Sequence, residues 1–221
     1  MRLTTDNDTN TVFFSEWLKN DFPKLYGELH TILEKYHVPH DTLNYTKDYW
    51  CRDYMPIQVS DNTFIQYKYH PDYLLKNSKN SQYITDPDKV CEELGINTQK
   101  IDVILDGGNI IKCDDAIIMT EKVFKENPYH KKNQLLSILE NAFQADTILL
   151  PWDKTETYGH SDGIVRYISD REVLFTNYND FDEKIADEMK NRLSKRFDIK
   201  ELHYSSSKKN LNSWAYINFL Q

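Results

Sequence analysis

The chain has 221 residues, of which 39% are hydrophobic and 28% are charged, so it is long and apolar enough to form one domain with a sizeable core. Its 35 acidic residues outnumber its 27 basic residues and give a net charge of −8. This balance argues against a nucleic-acid partner, because nucleic-acid-binding domains usually present a basic surface, and it is compatible with a cationic substrate.

The N-terminus and the cysteines predict the cellular compartment of the protein. The first residues, from Met1 to Asp6, lack the apolar core of a signal peptide, and no apolar run in the sequence approaches the length of a membrane span. The three cysteines, Cys51, Cys91 and Cys113, are odd in number and irregularly spaced, so neither a disulfide framework nor a zinc-type cysteine pair is expected. We therefore expect a cytoplasmic protein with no membrane partner.

The predicted elements begin with two helices. Residues 23–36 start with Pro23, which suits a first helical turn, and they carry one apolar stripe. Residues 87–94 follow, with Asp86 as the N-cap and Gly95 as the residue that ends the helix. The N-terminal part of the sequence is therefore expected to be helical in these two places.

Strands and helices then alternate to the end of the chain, as apolar runs rich in β-branched residues give way to amphipathic segments. In chain order these are strands at 101–105, 109–112 and 116–119, a helix at 131–143, strands at 147–150, 164–168 and 173–176, and a charged helix at 181–196. An apolar strand pattern closes the sequence at 213–221. Two strands, a helix and another strand recur without a flexible linker, so one α/β domain over residues 1–221 is expected.

Three acidic residues are spaced as in a repeat. Asp53, Asp106 and Asp162 each lie in a short distinctive motif, at intervals of 53 and 56 residues. Intervals of this size are typical of supersecondary units repeated around a common centre. Four of the six glycines lie beside two of these acids, where the backbone would need a positive φ or a close approach to a neighbour.

The first two motifs each have a simple structural explanation. Residues 50–56 read Trp-Cys-Arg-Asp-Tyr-Met-Pro, which alone is equally well an Arg52–Asp53 ion pair in a turn. In the second motif an apolar strand ends at Asp106 and is followed by Gly-Gly-Asn. Asp-Gly is a strong turn signal, so this motif alone predicts a β-hairpin, although the acid would then lie near the interior.

The third motif, at residues 158–167, reads Tyr-Gly-His-Ser-Asp-Gly-Ile-Val-Arg-Tyr. On an extended segment, His160 and Asp162 would point to the same face because they are two residues apart. A histidine beside an acid is a good proton shuttle at neutral pH. Metal ligation or a purely structural pair are the alternatives.

In order, the three motifs are Trp-x-Arg-Asp, acid-Gly-Gly-Asn, and Gly-His-x-Asp with an arginine four residues on. This order resembles the agmatine deiminase and Porphyromonas-type peptidylarginine deiminase family. The sequence between the motifs also fits, with Ala-Ile-Ile-Met-Thr-Glu at 116–121 and Glu-Thr-Tyr-Gly-His at 156–160. The resemblance covers residues 45–220. It implies the pentein fold, an α/β-propeller of five ββαβ units around a central site, and hydrolysis of a guanidinium to a ureido group with release of ammonia, without a metal or an organic cofactor.

The resemblance also implies a role for each acid and for the histidine. A guanidinium ion is planar and presents paired N–H donors, so carboxylates bind it bidentately, and Asp53 and Asp162 would do this. In the family a cysteine thiolate attacks the guanidine carbon, and His160 would protonate the departing ammonia and then activate water. Asp106 would orient His160 or pair with its charge.

Two further residues, Trp50 and Arg166, are candidates for contact with the substrate. Trp50, like Tyr158, is equally well a core aromatic residue. The substrate would be a small cationic guanidine, with agmatine first and free arginine or peptidyl-arginine as alternatives.

The nucleophile is the main departure from the family pattern. The family's cysteine follows a late glycine-rich segment, whereas this sequence has neither glycine nor cysteine after Gly163. Cys51 could share a face with Asp53 on an extended chain, while Cys91 and Cys113 are expected to be packing residues. Together with the apolar end of the sequence, this predicts a deiminase chain that lacks its last unit and is inactive alone.

A second departure concerns Asp106, because the family usually has glutamate there and aspartate is one methylene shorter. The contact to His160 is then altered or mediated by water. Two other functions stay open at this point. One is a catalytically silent module that binds guanidines or amines. The other is a hydrolase whose metal is bound by His160, Asp162, Asp53 and Asp106, although only one histidine belongs to that set.

The other histidines show no paired spacing and are predicted to be surface or packing residues: His30, His37, His40, His70, His130 and His203. No metal site is therefore predicted. A missing unit would leave an exposed sheet edge, which would favour a homo-oligomer.

Overall fold

The structure, a computed structural model, describes residues 2–203 and 216–219. The chain divides into two compact units. The N-terminal unit is Asp8–Gly107, and the C-terminal unit combines Met1–Asn7 with Gly108–Gln221. Whether the whole chain behaves as one domain stays a prediction.

Within its described residues, the N-terminal unit contains five α-helices and five strands. In chain order they are β1 (Val12–Ser15), α1 (Glu16–Asp21), α2 (Pro23–Lys35), β2 (His40–Leu43), α3 (Cys51–Tyr54), β3 (Ile57–Ser60), β4 (Thr63–Lys68), α4 (Asp72–Leu75), α5 (Pro87–Leu94) and β5 (Thr98–Ile104). Two 3-10 helices lie at Asn80–Tyr83 and Gly107–Asn109, the second of which continues into the C-terminal unit.

The C-terminal unit contains a fully buried strand, Ala116–Thr120. Its elements are β6 (Ile111–Lys112), β7 (Ala116–Thr120), α6 (Lys122–Glu126), α7 (Lys132–Phe143), β8 (Asp146–Leu150), β9 (Val165–Ser169), β10 (Glu172–Thr176), α8 (Glu183–Leu193) and β11 (Asp198–Leu202). Within the described ranges, no helix of the protein is long and apolar enough to cross a membrane.

The order strand, strand, helix, strand occurs three times in the described part of the chain. In each case the first two strands are antiparallel and the third, which follows a helix, is parallel to the second: β3–β4–β5, β6–β7–β8 and β9–β10–β11. A two-stranded parallel sheet of β1 and β2, joined through α1 and α2, precedes them. The α/β fold built of ββαβ units is therefore confirmed.

The spaced acids mark the start of each repeat. Asp53 comes four residues before β3, Asp106 five residues before β6, and Asp162 three residues before β9. All three are buried, with 9%, 1% and 7% of their surface exposed. The regular spacing in the sequence therefore reflects equivalent positions in successive repeats.

Two of the predicted helices, α5 and α8, begin at a side-chain N-cap. Helix α5 starts at Pro87, with the Asp86 side chain accepting the N–H of Asp88, and it ends at Gly95, whose φ is +66°. Helix α8 is shorter than predicted, because the Asp182 side chain accepts the N–H of Ile185 and so fixes its first turn. Caps of this kind each contribute about 1 kcal/mol.

Helix α8 closes the core of the C-terminal unit. Its buried residues Ala186, Met189 and Leu193 are spaced by three and four positions and form one stripe. They pack in a cluster with Val173 and Phe175 of β10. Full burial of a side chain such as Leu193 contributes about 2 kcal/mol. The narrow apolar stripe of α8 therefore stabilises its packing on the sheet, although most residues of the helix are polar or charged.

Several elements differ from the predictions. The Asp-Gly-Gly-Asn segment is not a hairpin turn, since β5 and β6 belong to different sheets and a 3-10 helix joins them. Residue 109, predicted to start a strand, lies in that helix. Of the apolar pattern at 213–221, only 216–219 are described, and they form a turn and irregular structure rather than a strand; the rest of it lies outside the described residues.

The first residues of the chain are built into the C-terminal unit. The Leu3 N–H donates to the Asp114 carbonyl at 2.7 Å, and the Asn7 side chain donates to the Ile168 carbonyl at 3.0 Å. Leu3 itself is 1% exposed. The N-terminal segment is thus held by both backbone hydrogen bonds and an apolar anchor.

The turn after α2 reverses the chain toward β2. The Val38 N–H donates to the Leu33 carbonyl at 2.9 Å, and the His37 N–H donates to the Glu34 carbonyl at 3.1 Å. This pair of bonds is the Schellman motif, in which the residue after the cap adopts a left-handed conformation. That residue is usually glycine, whereas here it is His37 with φ +54°.

We predict that His37→Gly stabilises the protein. A left-handed conformation costs a non-glycine residue about 1–2 kcal/mol, and the extra freedom of glycine in the unfolded chain offsets about 0.5–1 kcal/mol of that gain. Urea denaturation should show the free energy of unfolding rising by about 0.5–1 kcal/mol. His70→Gly, at an exposed position whose φ is not positive, should give no gain, and an equal gain in both variants would contradict the explanation.

Candidate active site

The first motif forms a short helix in the N-terminal unit. The Asp53 N–H donates to the Trp50 carbonyl at 2.9 Å as α3 begins. This places the Asp53 side chain in the interior, whereas Trp50 is 65% exposed. The core interpretation of Trp50 is therefore wrong, and the same holds for Tyr158, which is 51% exposed.

Tyr67, at the end of β4, holds the α3 segment against the sheet. Its hydroxyl donates to the carbonyl of Asp53 at 2.7 Å and lies 3.1 Å from that of Met55. Burial raises the pKa of Tyr67, and the carboxylates of Asp53 and Asp106 raise it further, while Arg52 lowers it. The pKa of Tyr67 therefore depends on two acids that are far apart in the sequence.

Two more tyrosines share this environment. The pKa values of Tyr69 and Tyr73 are raised first by burial and then by the charges of Asp53 and Asp106. We call these five residues, Asp53, Asp106, Tyr67, Tyr69 and Tyr73, the acid–tyrosine cluster. The sequence analysis missed its tyrosines, because Tyr67 lies on β4 whereas Tyr69 and Tyr73 follow the end of that strand.

Gly107 allows the backbone beside Asp106 to approach α3. A Cβ at this position would collide with the Arg52 carbonyl oxygen and lie 2.6 Å from the Tyr67 hydroxyl. The expected close approach of the double-glycine segment is therefore present at Gly107, and it lies within the acid–tyrosine cluster.

In the C-terminal unit, hydrogen bonds hold the loop that carries His160 and Asp162. The Thr120 hydroxyl donates to the Gly159 carbonyl at 2.6 Å, and the Asp162 N–H donates to the Gly108 carbonyl at 3.0 Å. Gly159 has φ +67°, and a Cβ there would lie 2.6 Å from the Lys122 side chain. Both the conformation and the space therefore require glycine before the histidine.

The loop turns at Ser161 rather than extending. The N–H groups of Ile164 and Val165 both donate to the Ser161 carbonyl, at 3.0 and 2.9 Å. The expectation that His160 and Asp162 share a face of an extended segment is therefore wrong. His160 remains partly exposed, with its ring centroid 5.9 Å from that of Tyr158.

Asp162 has a partner that the sequence analysis did not identify. The Asn218 side chain donates to the Asp162 carboxylate at 3.0 Å. Next to it, the Phe219 ring lies 5.2 Å from the guanidinium of Arg166. The C-terminal residues 216–219 thus contact two of the predicted site residues, a contact that only a long-range fold can create.

Arg166 lies on β9 and is 3% exposed. Its guanidinium forms an ion pair with Asp6 at 2.7 Å, and Asp6 also lies 4.0 Å from the Lys112 amine. The charge of Arg166 therefore has a structural partner in the N-terminal segment, and its contact with a substrate stays a prediction.

None of the three cysteines has the environment of a reactive thiolate. Burial raises the pKa of Cys51 to about 11, although the Tyr54 hydroxyl donates to its sulfur at 3.2 Å and lowers the value. Burial also raises the pKa of Cys91 to about 11 and that of Cys113 still further. At neutral pH all three are neutral thiols, and all are free.

Repeated ββαβ units with a buried acid before the first strand, and a histidine two residues from one of those acids, define an α/β protein of the pentein class. A profile of the Porphyromonas-type peptidyl-arginine deiminase family matches residues 25–221, and the chain belongs to this family. No curated protein matches the sequence.

Solved structures share the fold at low sequence identity. The agmatine deiminase of Enterococcus faecalis is 17% identical, with a TM-score of 0.68 over 91% of this chain and 70% of that one. A Cys-to-Ser variant of the C. jejuni agmatine deiminase with substrate bound is 18% identical, with a TM-score of 0.64 over 88% and 73%. A candidate peptidyl-arginine deiminase is 15% identical, with a TM-score of 0.68 over 91% and 75%. The pentein fold is thereby confirmed.

We predict that Gly107→Ala destabilises the protein by about 1–3 kcal/mol, because the added methyl group meets backbone rather than a flexible side chain. Gly27→Ala is the matched control, since Gly27 lies inside α2 with nothing near its Cβ position. It should stabilise the helix by about 0.5–1 kcal/mol. Urea denaturation of both variants measures the change in the free energy of unfolding, which should fall for Gly107→Ala and rise for Gly27→Ala. A stabilised Gly107→Ala variant would contradict the close approach of the backbone at Gly107.

We also predict that Cys51 reacts slowly with iodoacetamide. With a pKa of about 11, its thiolate fraction at pH 7 is roughly a hundredfold or more below that of an ordinary cysteine. Its reactivity should rise with pH up to about 11, as measured by peptide mass spectrometry, with Cys51→Ser assigning the labelled site. Rapid labelling of Cys51 at pH 7 would overturn this and restore it as a candidate nucleophile.

Proposed function

We propose that the chain is the guanidinium-binding part of a deiminase that hydrolyses a guanidinium to a ureido group and releases ammonia. The observation that carries this proposal is the acid–tyrosine cluster, where Asp53 and Asp106 are both buried. In it the Tyr67 hydroxyl, which donates to the Asp53 carbonyl, lies against the Gly107 backbone. A buried anionic site favours a bound cation, because charges interact more strongly away from water. Family membership supports the same choice.

The residue types suit recognition of a guanidinium ion. Carboxylates accept its paired N–H donors in parallel, and Asp53 and Asp162 have this role in the proposal. The substrate also needs a flat lining, which tyrosine rings provide through stacking and cation–π contact. Tyr69 and Tyr73 therefore join Trp50 and Arg166 as candidates for contact with the substrate.

The proposed reaction has two steps. A cysteine thiolate adds to the guanidine carbon and the C–N bond breaks, with ammonia leaving as it takes a proton from His160. Water, losing a proton to His160, then attacks the covalent thiouronium; the C–S bond breaks, the ureido product leaves and the thiolate is restored. Asp106 would orient His160 or pair with its charge, with a contact that is mediated by water if its shorter side chain does not reach.

The thiolate in this scheme is not provided by Cys51, Cys91 or Cys113, whose pKa values are all raised by burial. The proposal therefore assigns the nucleophile to a cysteine outside residues 1–221. Agmatine is the first substrate to test, since similar folds occur in two agmatine deiminases. Arginine and peptidyl-arginine are the alternatives, and a cytoplasmic setting would favour the small substrates.

The first test measures agmatine binding to the chain by calorimetry. Asp53→Asn and Asp162→Asn should each weaken binding by about tenfold or more, because each removes a charge-assisted hydrogen bond of about 1.5–3 kcal/mol. Asp61→Asn and Asp170→Asn change the net charge equally at exposed positions and should leave affinity unchanged. Circular dichroism and thermal melting of each variant separate lost binding from lost folding, and equal affinity in all four variants would end the proposal.

The second test uses a longer version of the chain that carries a C-terminal cysteine. It should release ammonia from agmatine, arginine or peptidyl-arginine, and His160→Ala should abolish release while leaving binding intact. Binding without ammonia release from any of the three would favour the catalytically silent guanidine-binding function. Absence of both would remove the deiminase proposal altogether.

A further inference from the structure

Three potential metal ligands meet in the N-terminal unit, away from the acid motifs. The ligand atoms of His30, Glu34 and His40 all lie within 4.8 Å of one another. Among residues 2–203 and 216–219, this is the one group of three or more His, Cys, Asp or Glu side chains that comes so close. The sequence analysis treated both histidines as isolated, because ten residues separate them.

The fold of this segment explains the cluster. His30 and Glu34 are four residues apart on α2 and so share one side of the helix. The Schellman turn at His37 then reverses the chain, and His40 enters as the first residue of β2. The two imidazole rings are 4.8 Å apart between centroids and meet edge to face at 84°.

His40 is oriented as a metal-binding histidine would be. Its Nδ1 lies 2.8 Å from the Val38 carbonyl oxygen, and a carbonyl can only accept, so Nδ1 carries the proton. In this tautomer of the neutral ring, Nε2 is the atom available to a metal, and it lies 3.8 Å from a carboxylate oxygen of Glu34. A backbone carbonyl that fixes the ligand tautomer in this way is the usual outer partner of a metal-bound histidine.

The distances and exposure also suit an ion. Two ligand atoms of a tetrahedral ion with bonds of about 2.0–2.1 Å lie roughly 3.4 Å apart, so the 3.8 Å separation between His40 and Glu34 needs only a small closure. The His40 side chain is 6% exposed and that of Glu34 is 65% exposed. One ligand is therefore anchored in the protein, while the cluster stays accessible from solvent.

We propose that His30, Glu34 and His40 bind one divalent transition-metal ion of the zinc class, with water completing the coordination. Two imidazoles and one carboxylate form a donor set that zinc commonly takes. The ion would join the C-terminal half of α2 to the start of β2 and so stabilise the N-terminal unit by mass action. None of the three ligands belongs to the guanidinium motifs.

Titration of the tag-free chain with zinc chloride by calorimetry tests the site. The result expected is one ion per chain. His30→Ala should weaken binding by more than about 100-fold, since even loss of an outer partner weakens metal binding by about 10- to 100-fold. His30 is exposed, so its replacement should leave the fold intact, and Glu34→Gln, which keeps the side-chain shape, should also weaken binding.

His203→Ala is the matched control. His203 also lies 3.8 Å from a carboxylate, that of Glu201, but the two belong to no group of three in the described part of the chain. This variant should bind zinc like the unaltered protein. Equal zinc binding in His30→Ala, Glu34→Gln and His203→Ala, or no binding by the unaltered chain, would overturn the proposal.

Thermal unfolding supplies a readout that adventitious surface binding would not give. Zinc should raise the melting temperature of the unaltered protein and of His203→Ala, but not that of His30→Ala; an equal rise in all three would count against the site. Agmatine affinity should be the same with and without zinc and in His30→Ala. The metal site and the guanidinium site can therefore fail independently, and each failure is visible in its own titration.

Discussion

Burial of negative charge is the constraint on which this structure depends. Asp53, Asp106 and Asp162 each precede the first strand of a ββαβ repeat and each is at least 91% buried. A buried carboxylate costs several kcal/mol unless neighbours replace its lost hydration. Asn218 supplies such a replacement by donating to the Asp162 carboxylate. Tyr67 donates instead to the backbone carbonyl of Asp53 and so fixes the segment that carries this acid. The fold thus places charge inside before any substrate is considered.

Local chemistry was the predictable part of the fold. Helix α5 could be placed because Asp86, Pro87 and Gly95 define its two ends without outside help. Strands β7 and β8 could be placed because their apolar runs are rich in β-branched residues, whereas β11, which reads Asp-Ile-Lys-Glu-Leu, was not predicted. By contrast, β2 reads His-Asp-Thr-Leu and has no strand-like alternation of its own. It exists because it pairs with β1, and such pairing leaves no local trace in the sequence.

The candidate site shows the same difference between features set by local sequence and features set by long-range contacts. The order of motifs predicts its acids and histidine, but long-range contacts determine the backbone between them. Asp-Gly normally forms a hairpin, yet the approach of Gly107 to the Arg52 carbonyl sets a 3-10 helix there instead. The tyrosines of the acid–tyrosine cluster and the Asn218 contact depend on which strands become neighbours. The pairing of His30 with His40 likewise depends on a turn whose key residue is not the usual glycine.

The N-terminal segment has a consequence for how the protein is made. Residues 2–7 are synthesised before their partners Asp114, Arg166 and Ile168, which belong to the same C-terminal unit. The acceptor of the Asn7 side chain, the Ile168 carbonyl, is synthesised 161 residues later. At about 5–20 residues per second, this delay is roughly ten to thirty seconds. During that interval Leu3 has not yet reached its buried position. The segment that contains Leu3 and Asp6 therefore completes its packing late, and the Asp6–Arg166 ion pair joins an earlier-made segment to a later-made strand.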